Sequence, residues 1–117
     1  MNELITYIFN SFIVDGKSIP VKYLRYDGHD NTYITWMEID ADRSFSGDNQ
    51  LLGYVSYYDF DIFSKGNYIN VIEKVKEKLT ANGFVWQVSR SSPDFYEADT
   101  GYYHKTLCFA YMREESI

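Results

Sequence analysis

The stretch Leu51–Gly83 changes its hydrophobic period partway along, and that change limits what the chain can fold into. From Leu52 to Phe63 the period is two. Leu52, Tyr54, Tyr58, Phe60 and Ile62 fall on one side, and Val55, Tyr57, Asp59, Asp61 and Phe63 on the other. Alternating aromatic and β-branched residues predict a long strand with a wetter second face. Ser64-Lys65-Gly66-Asn67 interrupts it, and Asn67 is placed to cap a helix. From Tyr68 the apolar residues Tyr68, Val71, Ile72, Val75 and Leu79 recur three and four apart, opposite Glu73, Lys74, Glu77 and Lys78. This predicts an amphipathic helix of about three to four turns, stopped at Asn82-Gly83 by a left-handed residue. A strand thus hands over to a helix whose one apolar stripe must lie on a sheet.

The flanking segments supply the rest of that sheet. Leu4, Ile5, Ile8, Phe9 and Phe12 have helical spacing and predict a short helix over Glu3–Phe12. Asp15-Gly16-Lys17 reads as a turn. Val21–Tyr26 after Pro20 and Thr32–Ile39 read as strands joined by the loop Asp27–Asn31, and together predict a hairpin. Asp40–Gln50 is polar and aperiodic, so it reads as an exposed loop. Phe84–Val88 reads as a strand and Ser89–Thr100, with Pro93, as a loop. In Tyr102–Met112 both faces carry apolar residues: Tyr103, Leu107, Phe109 and Tyr111 against Tyr102, His104, Thr106, Cys108, Ala110 and Met112. Such a strand is central or is covered by another chain. The order of elements predicts an α+β fold, an antiparallel or mixed β-sheet with helices packed on one face. At 117 residues the whole chain, 1–117, is expected to form a single domain.

Charge is unevenly placed. Met1–Phe63 holds ten acids and four bases, whereas Ser64–Ile117 holds seven of each. Asp27–Asp61 carries eight acids against Arg43 alone. A belt of this kind repels a phosphate backbone, which argues against grip on nucleic acid; it also suits a solvated face that keeps a protein soluble. Twelve tyrosines in a chain that is 19% aromatic suit sheets and contact surfaces. The lone Cys108 rules out an intrachain disulfide framework. MNELITYIFNSFIV lacks the basic start and small-residue cleavage site of a secretion signal. No apolar run approaches the ~20 residues that cross a bilayer. A soluble protein is expected.

No cofactor or metal motif emerges. Asp40–Asp48 spaces oxygens as a calcium loop does, but Phe45 stands where the sixth-position glycine is needed and Leu51 where the closing glutamate is needed. His29, His104 and Cys108 match no ligand spacing; His104 suits a place beside Tyr103, Glu97 or Asp99. A triad from Ser89, Ser91 or Ser92 with His104 and Asp94 lacks a nucleophile elbow. Asp59 and Asp61 share one strand face at about 7 Å, a spacing that glycosidases use and that edge carboxylates also show. The seven glycines are scattered singly, so no phosphate-cradling loop is present.

The run YVSYYDFDIFSKGNYINVIEKVKEKLTANGF, followed by DFYEADTGYYHKTLCFAYMRE, resembles the tail-completion (tail terminator) and minor tail proteins, the head-tail joining proteins, of long-tailed bacteriophages. The shared features are an Asp-aromatic-Asp-Ile-Phe strand end and a helix closing on Gly-Phe. To these are added an acidic Tyr-Glu-x-Asp-Thr loop and a last strand opening on Tyr-His-Lys. The likeness covers most of the chain after Leu51. It implies a non-enzymatic structural protein of a phage or prophage virion, assembled in the bacterial host cytoplasm. Its copies would close a ring, usually of six, that caps the tail tube, meets the tail-tube protein and the head-completion connector, and lets DNA pass without specific binding.

A ring subunit needs one face that meets a different face of the next copy. Tyr54, Tyr57, Asp59, Asp61, Phe63, Tyr102, Tyr103, His104, Phe109 and Tyr111 are the expected subunit-interface residues, since Tyr and Phe give large contact area at low entropy cost. Asp40, Asp42 and Asp48 are the expected acidic lining of the bore. The alternative is an acidic inhibitor or immunity-type module that masks a basic partner. A third reading, an enzyme, requires Asp59, Asp61 and His104 to converge in a deep pocket.

Overall fold

In the computed structural model the chain runs through α1 (Asn2–Ile8), β1 (Ile13–Val14), β2 (Lys17–Ser18), β3 (Val21–Tyr23), β4 (Thr32–Gly47) and β5 (Gln50–Ser64). Then come α2 (Ile69–Ala81), β6 (Val85–Trp86), a 3-10 turn (Val88–Arg90), β7 (Phe95–Glu97) and β8 (Tyr102–Glu114). The structure describes residues 2–47 and 50–114, with side chains over 3–41 and 53–112.

The period-two stretch is the middle strand of a mixed sheet ordered β3-β4-β5-β8-β6, with β7 also on β8. β5 is antiparallel to β4 from Thr32↔Ser64 to Gly47↔Gln50, and to β8 from Ser64↔Tyr103 to Gly53↔Glu114. Register sends one side of each strand inward. Ile34 and Trp36 of β4, Tyr58, Phe60 and Ile62 of β5, and Leu107 and Phe109 of β8 are buried in one cluster. Both helices cover that same face. α1 and the turn after it contribute Ile5, Ile8, Phe9 and Phe12, and α2 contributes Val71, Ile72, Val75 and Leu79. Each such side chain contributes about 1.5–3 kcal/mol on burial. The fold is α+β, with a mixed sheet and its helices on one face.

The ends of α2 follow local chemistry. The helix starts at Ile69, whose N–H donates to Asn67 Oδ1 at 3.0 Å. At its other end Gly83 takes φ 90°. Gly83 N–H then donates to Thr80 O and Phe84 N–H to Leu79 O, the paired bonds of a Schellman stop. α1 is shorter than the helical spacing predicts. It ends at Ile8, and Ser11 at φ 55° turns the chain so that Phe12 still reaches the core.

Three expectations are corrected. Val21–Tyr23 and β4 are parallel, not a hairpin, with Val21↔Ile34 and Tyr23↔Trp36 in register. A three-residue strand is about 10 Å long, so residues 24–31 suffice to carry the chain back to its start. The reversal begins at Leu24, which adopts φ 68° and donates its N–H to Trp36 O. Asp40–Gln50 is not an exposed loop: through Gly47, and again at Gln50, it is strand paired within β4–β5. Its polar residues carry no alternation, but β5 offers backbone partners, and strand propensity yields to that context. Finally, the strand expected at Phe84–Val88 stops at Trp86, and Val88 begins the 3-10 turn.

The β4–β5 ladder carries irregularities, the first between Glu38 and Asp40. Met37 pairs with Asp59 and Glu38 with Tyr58, but Asp40 pairs with Tyr57. The extra residue, Ile39, moves Asp40 onto the face away from the helices. Among the described side chains the buried cluster ends near Trp36, Tyr58 and Phe109, whereas the ladder runs on to Gly47↔Gln50. The result is a three-stranded arm. Its effect on shape is measurable: the radius of gyration is 15.6 Å and the extents are 53 × 27 × 23 Å, against about 13 Å for a compact chain of this length.

Candidate functional site

The face of the sheet away from the helices gathers most of the chemically distinctive side chains. Cross-strand register aligns Tyr33, Phe63 and His104 in one row, Thr35, Asp61 and Thr106 in the next, and Met37, Asp59 and Cys108 in the third. In the first row the rings stack in sequence. Tyr26 lies on Tyr33 at 4.7 Å, Tyr33 on Phe63 at 4.7 Å, and Phe63 on His104 at 4.2 Å between centroids. Tyr102 meets Tyr33 and Phe63 edge-on, and its hydroxyl donates to Asp30 O at 2.8 Å. Lys65 lies over its ring.

Below the rings, Asp61 Oδ1 accepts the hydroxyl of Thr106 at 2.5 Å and lies 3.1 Å from His104 Nε2. Glu97 Oε2 stands 3.8 Å from the other imidazole nitrogen. His104 is thus held flat between carboxylates on two strands while its ring face is taken by Phe63. In the third row, burial pushes the Asp59 carboxyl above its ordinary range, with the charge of Asp61 adding to the effect. Burial, then Asp59, pushes the Cys108 thiol up to about 11. Asp59 Oδ1 is buried with no hydrogen-bond partner among the described residues. Arg90 closes this end: its guanidinium lies 3.9 Å over the Tyr57 ring and 3.7 Å from Asp40.

The serines after the 3-10 turn seal the outer edge of β8. Ser92 N–H donates to Thr106 O, Thr106 N–H donates to Ser92 Oγ, and Cys108 N–H donates to Ser91 Oγ. Ser91 also takes Trp86 Nε1–H. The Ser-His-Asp arrangement weighed from sequence therefore does not form. The serines serve the strand edge, Asp94 accepts the Tyr68 hydroxyl, and His104 turns to Asp61.

The expected interface residues fall into separate places. Tyr57, Asp59, Asp61, Phe63, Tyr102 and His104 share the face away from the helices, all half-buried. Tyr103 is on the helix side, packed on Tyr68 and Tyr96 and partly exposed. Tyr111 packs on Phe84, and Tyr54 lies in the arm, paired with Arg43 and Arg113. Phe109 is corrected to a core residue. Period two turns it inward, where it is fully buried against Phe60. Of the acidic set, Asp40 is exposed on β4, Asp42 is placed by its backbone opposite Val55, and Asp48 lies outside the described residues. Asp59, Asp61 and His104 do come together, but on an aromatic sheet face; the principal cavities are lined by other residues.

Sequence reasoning missed the contacts of Thr106 and Arg90. Asp61 lies on the wetter face of its strand, which was readable; that Thr106 meets it depends on register between strands 45 residues apart. Among the described residues no group of three or more His, Cys, Asp or Glu is placed to hold a metal. Among the described residues no helix is long and apolar enough to cross a membrane. No protein-family model and no curated protein matches this chain.

Proposed function

We propose that this chain is a self-assembling structural subunit of the tail-completion kind that its sequence resembles, acting by geometry in a phage or prophage tail. The observation that carries the reading is the three-stranded arm, which extends past the hydrophobic cluster and gives the molecule its 53 Å length. An arm that runs past the described cluster offers strand edge and sheet face for contact between copies. The half-buried ring row and the exposed Met37 and Met112 on the same face offer apolar contact area beside it. Ring closure would stop growth of the tail tube and present a docking surface to the tube and the head connector. The acidic Asp40 region would let DNA pass without gripping it.

Light scattering after size-exclusion chromatography tests the reading. A discrete closed oligomer, or one that grows in with concentration, is the expected result. A strict monomer up to hundreds of micromolar would overturn self-assembly and favour the acidic module that masks a basic partner.

A further inference from the structure

At the end of β5 opposite the arm, the start of α2 and the start of β8 enclose a groove of about 680 Å³. Its apolar wall is Tyr68, Ile72 and Tyr103, and its lysines are Lys65 from the turn after β5, Lys76 from α2 and Lys105 from β8, Lys65 also lying over the Tyr102 ring and Lys76 over the Trp86 ring. Two acids share the rim, both near bases: Glu73 lies 3.9 Å from Lys76, and Asp94 lies 4.0 Å from Lys105 and accepts the Tyr68 hydroxyl. The lining is therefore net positive in a chain whose net charge is −6. The arm has the opposite character. Thr32–Asp42 holds Glu38, Asp40 and Asp42 and no base. β3 covers the outer edge of β4 only at Ile34–Trp36, and among the described residues no strand pairs with that edge beyond it. Glu38 and Asp40 are exposed, Asp40 accepting the Ala41 N–H at 2.8 Å and lying 3.7 Å from Arg90.

We infer that the lysine-rimmed groove binds the acidic outer edge of β4 from a second copy of this chain. The inference rests on the self-assembly reading and names its contact. The two surfaces do not meet within one molecule: Glu38 and Asp40 pair with Tyr58 and Tyr57, which lie about 20 Å along β5 from Ser64 at ~3.3 Å per residue. Two different, complementary surfaces make a head-to-tail contact, the type that generates a ring when the rotation closes. Opposite charge also sets its direction, since arm-to-arm and groove-to-groove encounters bring like charges together. The uneven charge along the chain thus becomes a polarity of the folded molecule.

The test uses the full chain in three forms: wild type, a groove variant Lys65→Glu/Lys105→Glu, and an arm variant Asp40→Asn/Asp42→Asn that leaves no opposite charge for the reversed groove, each checked for folding by circular dichroism. Each variant alone should assemble at least tenfold more weakly than wild type by analytical ultracentrifugation. An equimolar mixture should give a 1:1 dimer and nothing larger, because only one intact arm and one intact groove remain to meet. Should the groove variant misfold, Lys65→Glu alone replaces it in the same mixture. A wild type that assembles while the variants assemble equally well, or a mixture that stays monomeric or regains the full oligomer, overturns the arm–groove contact and leaves self-assembly standing. A monomeric wild type overturns both.

Discussion

The imidazole of His104 lies parallel to the ring of Phe63, with centroids 4.2 Å apart and planes 15° from one another. Asp61 holds the imidazole edge from the neighbouring strand at 3.1 Å. The pair ties β5 to β8 through side chains at the same point where Phe63↔His104 are backbone partners. Removing it should cost both terms. His104→Ala is expected to lower unfolding free energy by about 1–2 kcal/mol, the sum of a stack and a modest hydrogen bond. His104→Phe should recover the stacking part only. Urea unfolding of both variants reads the difference, and equal losses would refute a separable stack.

Asp59 gives a pH-dependent prediction. Burial, with Asp61 next to it, raises its folded-state value. The folded protein therefore holds a proton that the unfolded chain has already released. The stability attached to that proton is complete below the ordinary aspartate range and is lost as pH rises through the raised value. Asp59→Asn should match wild type in acid and exceed it at pH 7 by about 1 kcal/mol, since a charge is removed from a carboxyl whose Oδ1 is buried with no hydrogen bond. Thermal melts across pH 3–8 check this; a constant offset would count against it.

Cys108 is fully buried and its thiol is pushed up to about 11. At neutral pH little of it is thiolate, so a disulfide reagent should modify the native protein at least about a hundredfold more slowly than a free thiol. In denaturant the reaction should be fast. Rapid modification of the folded form would show that β8 opens locally.

The join between α2 and the sheet can be tested at its two ends. Leu79→Ala removes a fully buried side chain and should cost about 2–5 kcal/mol. Gly83→Ala adds a methyl in ordinary contact with Tyr111 at 3.5 Å, but at φ 90°. Its cost should be about 1–2 kcal/mol from backbone strain alone. Far-ultraviolet circular dichroism during urea unfolding measures both, and a stabilising Gly83→Ala would contradict the left-handed stop.

Local pattern by itself determined the central strand, the helix after it, the stop at Gly83 and the inward side of β5. In each case a repeat of two or of three to four is imposed by backbone geometry and read within a few residues. Only the tertiary structure decided the parallel β3–β4 pair, the strand at Asp40–Gly47, and the meeting of Asp61 with His104 and Thr106. A short connection from Tyr26 to Thr32 fits either strand direction until Leu24 reverses the chain. Polar residues become strand when a neighbour supplies the missing hydrogen bonds. Contacts between side chains on different strands exist only after register is set, and a two-residue period is the same in every register.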